Sequence, residues 1–204
     1  MPKSIIILML IFVVYIMFTN RLKTETPIIE DIKIDTNNQI YQKLSAKIRT
    51  IKKKGLPLLI KINSHPCAGK STFIKHYNNY YNGCKLYDFD DSVKEKTSDF
   101  LLKKKCNSIL FGCSGTKSHD PKAKDYDIHE NVVYVFIFPK LNHLYNNIVH
   151  RQLERGLYPR WSSPKNIFEY RNNMYELIIH KHQQIRPLFY SFKQGIDYCI
   201  QQYR

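Results

Sequence analysis

The 204-residue chain has few of the residues that mark disulfide-rich or repetitive proteins. It has five cysteines, and no two of them are separated by two residues, so the sequence predicts neither a disulfide framework nor a structural zinc site. No asparagine begins an Asn-x-Ser/Thr glycosylation sequence. Seven glycines and nine prolines exclude collagen-like and low-complexity architectures.

Acidic residues are also scarce. Asp and Glu number 17 against 32 Lys and Arg, which gives a formal net charge of +15 and indicates polyanionic partners such as phosphates, nucleic acid or an anionic membrane. The balance is +6 over residues 1–60, +3 over 61–139 and +6 over 140–204, so no single basic tail carries the excess. Apolar residues make up 43%, which is enough for the core of one domain.

The longest apolar run covers residues 5–18 and is 14 residues long. A spanning helix usually has about 20 residues, while a cleaved signal peptide would be followed by small residues that are missing here; a buried core helix is the third alternative. We interpret residues 1–20 as an N-terminal membrane anchor or signal-like helix. Because basic residues are concentrated after this run, the positive-inside bias predicts a membrane-anchored protein with its catalytic domain in the cytosol.

Residues 21–55 are predicted to be a basic linker with an amphipathic helix. Ile40, Leu44 and Ile48 recur every four residues, which is helical spacing, and the opposite side is rich in lysine. Two interpretations stay open at this point. The helix lies on anionic lipid beside the anchor, or it packs against the following domain with its lysines in solvent.

A phosphate-binding loop is the most specific motif in the chain. Residues 58–63 are apolar with strand character, and helical spacing resumes after the loop, so strand, loop and helix follow in the required order. The predicted nucleotide-binding residues are Ser64, His65, Pro66, Cys67, Ala68, Gly69, Lys70, Ser71 and Thr72, with Arg160 further along the chain.

The residue types of the loop explain its expected chemistry. Small residues let backbone N–H groups surround phosphate oxygens, Lys70 reaches the β- and γ-phosphates, and Ser71 places its hydroxyl on Mg²⁺. The motif G-x-x-x-x-G-K-[ST] begins with Ser64 instead of glycine, at a position where we expect a tight turn. ATP and Mg²⁺ are therefore the predicted cofactors.

With this loop the sequence resembles the P-loop small-molecule kinases, the group that contains adenylate, shikimate and gluconate kinases. The segment H-P-C-A-G-K-S-T is similar to the form G-x-P-G-A-G-K-S-T that is common in the group, and the likeness covers residues 56–204. It implies an α/β fold, a three-layer P-loop NTPase with a parallel sheet flanked by helices, here preceded by the N-terminal hydrophobic helix. The implied elements are strands at 85–87, 108–114, 132–138 and 196–200 and a helix at 141–156.

An acidic pair follows the second strand in the sequence Asp-Phe-Asp-Asp. Asp88 and Asp90 are two residues apart on an extended segment, so their side chains face the same side. We expect one of them to take the proton from the hydroxyl that receives the phosphate. The resemblance also implies a metal role, with Mg²⁺ held by Ser71 and Asp88, since 108–114 has no terminal aspartate. The alternative is that this segment only caps the next helix, through Asp91 or Ser92.

Arg151 and Arg155 are one helical turn apart and share a face. The resemblance implies that they belong to a lid that clamps the transferring phosphate, together with Arg160. The alternative is an exposed basic helix end that is stabilised by the helix dipole.

The predicted function is therefore an ATP-dependent phosphotransferase that moves the γ-phosphate to a small hydroxyl or phosphate acceptor. A polynucleotide 5′-hydroxyl kinase is one alternative, because the net charge of +15 suits a nucleic-acid end. A P-loop ATPase or nucleotide-binding membrane protein without transfer activity is another. The expected partners are ATP, an acceptor and, through the N-terminal helix, a membrane, with nucleic acid as the alternative partner.

Overall fold

A six-stranded sheet is the centre of the structure, which is a computed structural model. The structure describes residues 38–65, 67–89, 97–112, 129–155 and 187–204, together with 166, 169 and 171–173. The predicted anchor at 1–20 lies outside these residues. Within the described ranges, no helix has the length and apolar character needed to cross a membrane.

The sheet is parallel except at one edge. Its strands are β1 (Leu59–Ser64), β2 (Tyr80–Tyr81), β3 (Cys84–Phe89), β4 (Ser108–Gly112), β5 (Val132–Ile137) and β6 (Leu188–Phe189). They lie in the order β2-β3-β4-β1-β5-β6, and only β2 and β3 pair antiparallel. The predicted α/β fold with a parallel sheet is confirmed.

Helices cover both faces of this sheet. They are α1 (Gln39–Lys53), α2 (Lys70–His76), α3 (Thr97–Leu102), α4 (Leu141–Arg155) and α5 (Phe192–Tyr203). Side chains alternate along β1, so Ile60 and Ile62 join the main core with α1 and α5, whereas Leu59 packs with Leu101 of α3 on the other face. A strand that is buried on both sides explains the continuous apolar run at this point of the sequence.

The predicted strand at 196–200 is wrong, because these residues belong to α5. Ser191 caps the helix by accepting a hydrogen bond from the Gln194 amide at 3.2 Å. Phe192, Ile196 and Ile200 are buried at helical spacing, a pattern that a window of five residues does not reveal.

Helix α1 belongs to the same core as the sheet. Leu44, Ile48 and Ile51 are buried in it, and the Tyr41 hydroxyl donates a hydrogen bond of 2.5 Å to the carbonyl of Leu188 in the edge strand β6. The Asn38 side chain caps the helix, accepting from the Ile40 amide at 2.9 Å. Of the two interpretations of this helix, the structure shows packing against the domain, and the described α/β unit begins before residue 56.

We expect Ile48→Ala to lower the free energy of unfolding by ~2–4 kcal/mol, because it leaves a cavity where the side chain is 0% exposed. Lys43→Ala on the exposed side of the same helix should change it by less than ~0.5 kcal/mol. Urea unfolding followed by circular dichroism measures both. Equal effects of the two substitutions would show that α1 does not contribute to the core.

Candidate active site

The chain leaves β1 later than the motif suggested. Ser64 is still a strand residue paired with Ile137, and the His65 amide donates to the Ile137 carbonyl at 3.1 Å. The tight turn expected at Ser64 is therefore not present there, and an extended backbone accepts serine without strain. Positive φ angles occur further on, 62° at Cys67 and 90° at Gly69.

The loop reverses direction through a hydrogen-bonded turn. The Ala68 amide donates to the His65 carbonyl at 3.1 Å, with Cys67 as the third residue of the four. Gly69 then forms the N-cap of α2 in a left-handed conformation that a residue without Cβ adopts at little cost. Cys67 adopts a similar conformation although it has a Cβ. For such a residue this conformation is disfavoured unless other contacts hold it.

Lys70, the first residue of α2, forms an ion pair with Asp88 of β3. The Nζ–Oδ1 distance is 2.5 Å, and the two side chains are 14% and 31% exposed. The parallel strands β1 and β3 end at the same edge of the sheet, with β4 between them, so Asp88 lies at the edge where the loop begins. The structure thus places a cation and a carboxylate side by side at the predicted site.

Helix α4 supplies a second cation and an amide. Arg151 Nη1 lies 3.4 Å from Cys67 Sγ, and Asn147 Nδ2 donates to the Cys67 carbonyl at 2.9 Å. Leu144 and Ile148 are buried and contact Cys67, so they fix the helix against the loop. One helix therefore contacts both the backbone and the side chain of a single loop residue.

The floor of the site is made by two register partners, Asn63 of β1 and Gly112 of β4. A Cβ at Gly112 would lie 2.8 Å from Asn63 Oδ1, so the asparagine amide occupies that space. Asn63 is 5% exposed. The neutral amide of Asn63, and not a carboxylate, therefore lies beside Gly112 at the end of β4.

Aromatic and basic side chains pack behind the loop. The ring of His65 lies edge-on to Phe138 at 6.3 Å, and the Arg171 guanidinium lies 4.7 Å from the centre of the same Phe138 ring. Arg171 is 0% exposed and Phe138 1%. A cation over an aromatic face is attracted by the ring quadrupole, which helps to keep this arginine inside the protein.

The structure brings together several of the residues predicted for the site. Lys70, Asp88 and Arg151 meet at the loop, and Ser71 and Thr72 lie exposed on the first turn of α2. Ser64 and His65 are only 5% and 1% exposed, so their side chains are buried. Pro66, Asp90 and Arg160 lie outside the described residues, and for Arg155 only the backbone is described.

Among the described residues no three His, Cys, Asp or Glu side chains cluster as a metal site. Mg²⁺ needs fewer protein ligands, since it keeps several waters and takes one or two carboxylates beside substrate phosphates. Asp88 supplies a carboxylate oxygen and Ser71 a hydroxyl close to Lys70 in the sequence and fold. The chemistry of this donor set fits Mg²⁺.

Sequence reasoning missed Asn147 and Asn63. Asn147 precedes Arg151 by one helical turn, so its position on the same face of α4 was visible in the sequence. Nothing in the sequence linked that face to Cys67, which is 80 residues away in the chain. The contact of Asn63 with Gly112 depends on strand register, which the sequence alone does not fix.

The thiols provide a first test of this geometry. Cys106 is exposed, Cys67 is half-buried, and Cys84 and Cys199 are buried. Burial raises the pKa of Cys84 to about 11 and also raises the pKa of Cys199. Because the thiolate is the reacting form, iodoacetamide at roughly neutral pH should label Cys106 and Cys67 and leave Cys84 and Cys199 unmodified until denaturant is added.

Peptide mass spectrometry measures the labelling at each site. Modification of Cys84 or Cys199 in the native protein at the rate of Cys106 would contradict the described packing.

No family model matches the chain, and neither a curated protein nor a solved structure matches it. The geometry of the loop and of the elements around it is therefore what supports a functional proposal.

Proposed function

We propose that this chain is an ATP-dependent phosphotransferase of the P-loop kinase type. It moves the γ-phosphate to a small hydroxyl or phosphate acceptor at the loop of residues 64–72. The observation that carries the proposal is that two residues from distant elements contact this one loop, Asp88 through Lys70 and Arg151 through Cys67.

The position of the loop in the sheet supports a ligand site. Strands β3 and β4 follow β1 in the chain and lie on one side of it, whereas β5 and β6 lie on the other. The strand order therefore reverses direction at β1. In open α/β sheets, ligands bind at the carboxyl ends of the strands where this reversal occurs.

Positive charge at the loop suits a polyphosphate. Lys70 and Arg151 bring two cations to it, and Gly69 provides no side chain to cap the first amides of α2. Helix α2 is only seven residues long, so its dipole adds little and the two side chains supply most of the attraction. Phosphoryl transfer depends mainly on this kind of positioning and charge neutralisation.

Asp88 is the group that would handle the acceptor. Its carboxylate is 31% exposed and lies beside Lys70, where it can accept the proton that an acceptor hydroxyl loses as its oxygen bonds to the phosphorus. Bound with Mg²⁺, ATP would supply the γ-phosphoryl group, and ADP would be the leaving group. Ser71 and Asp88 would hold the ion through their oxygens.

Lys70→Ala should weaken ATP binding and abolish transfer, with a loss of ~100-fold or more, because it removes the cation of the loop. The matched control is Lys75→Ala, an exposed lysine on the same helix, which should leave transfer unchanged. Binding is measured as protection of Cys67 from iodoacetamide by ATP, and Cys106, exposed beyond the opposite end of β4, is the internal reference. Full protection in a folded Lys70→Ala protein would refute the role of Lys70 in nucleotide binding, and absence of protection in the wild type would refute the nucleotide site.

Asp88→Asn should lower the rate of transfer at saturating ATP by ~100-fold or more while ATP still protects Cys67. Asparagine keeps the shape of the side chain but does not accept the proton. Transfer of labelled phosphate to a panel of hydroxyl and phosphate acceptors measures the effect. ATP hydrolysis that no acceptor alters would instead indicate an ATPase, and an unchanged transfer rate would remove Asp88 from the mechanism.

A further inference from the structure

We infer that Asn147 is a positioning residue that holds the phosphate loop in the conformation the proposed site needs. Through it, the loop and Arg151 behave as one unit. The geometric part of this inference stands on the structure alone, and the kinetic part rests on the proposed function.

The contacts of Asn147 centre on the left-handed part of the loop. Its Nδ2 donates to the Cys67 carbonyl at 2.9 Å. The same nitrogen is the one heavy atom within 4 Å of a Cβ built at Gly69, at 3.7 Å, among the neighbours the structure describes. The amide thus lies over both residues of the loop that have a positive φ.

A hydrogen bond at this carbonyl has a specific structural effect. Cys67 has a φ of 62°, a conformation that its Cβ disfavours. Fixing the Cys67 carbonyl fixes the peptide plane that it shares with the Ala68 amide, which closes the turn back to His65 at 3.1 Å. Asn147 therefore offsets a local strain that a glycine at this position would not have.

The rigidity of the contact comes from α4. Leu144 and Ile148, on either side of Asn147 along the helix, are 0% and 1% exposed and pack with Cys67. Arg151 follows Asn147 by one turn and reaches the thiol of the same residue at 3.4 Å. Because one helix carries both side chains, a loop that moves away from Asn147 also moves away from Arg151.

The first test needs no nucleotide. Hydrogen exchange of the amides at residues 68–72 is measured by mass spectrometry on the full chain. The variants are Asn147→Ala and the near-isosteric Asn147→Asp, whose side chain lacks the N–H donor of asparagine. We expect exchange to rise about 5-fold or more in both variants, because the left-handed strain at Cys67 is then no longer offset. Asn146→Ala is the matched control, because Asn146 is an exposed asparagine directly before Asn147, and its loop amides should exchange at the rate of the wild type.

The second test asks whether backbone strain at Cys67 is the reason that exchange in the loop depends on Asn147. In a C67G background the left-handed conformation has no Cβ penalty, so Asn147→Ala should raise loop exchange by less than about two-fold. An equal rise in both backgrounds would overturn the inference, and so would a rise of the same size with Asn146→Ala.

The kinetic test separates this inference from the proposed function. Asn147→Ala should raise the KM for ATP about 5-fold or more and leave the KM of the acceptor unchanged, since it releases the phosphate loop only. Equal rises in both KM values would contradict a role at the loop. If the wild-type chain neither binds nor uses ATP, the proposed function fails, and the exchange measurements still decide the role of Asn147.

Discussion

Strand β1 is bound by parallel neighbours on both sides, and the position of each proposed functional group follows from this pairing. Its register with β5 extends through Ser64 to Ile137, so the loop begins only at the carboxyl edge of the sheet. The same edge ends β3, which carries Asp88, and β4, which ends in Gly112. The sheet thus brings together groups that are far apart in the sequence, and α4 closes the site from above with Asn147 and Arg151.

The loop of residues 64–72 has its disfavoured backbone conformation at Cys67 and not at the first position of the motif. The motif has serine where glycine is usual, yet position 64 does not require glycine because its backbone is extended. Besides Gly69, the loop has a left-handed residue at Cys67, whose Cβ is tolerated because an asparagine, an arginine and two buried aliphatic side chains of α4 all contact this residue. Local sequence and tertiary contacts therefore have to be considered together at this site.

Much of the fold could be predicted from the sequence, because buried parallel strands leave long apolar runs that are easy to recognise. The runs at 58–63, 108–114 and 132–138 became β1, β4 and β5, and the glycine-lysine step marked the start of α2. The strand prediction at 196–200 was wrong because a segment of five apolar-rich residues fits both the period of a strand and that of a helix. Only Ser191 and Phe192 before it identify a capped helix. The ion pair of Lys70 with Asp88 and the contacts of Asn147 both depend on how distant elements pack, which no local pattern encodes.

The central claim is that a nucleoside triphosphate binds over this loop. A crystal structure of the full chain with a non-hydrolysable ATP analogue and Mg²⁺ tests it most directly. The account predicts the β- and γ-phosphates within hydrogen-bond distance of Lys70 and Arg151, with Asp88 facing the γ-phosphate. An analogue bound elsewhere, or a loop that stays empty at saturating concentrations of the analogue, would contradict it.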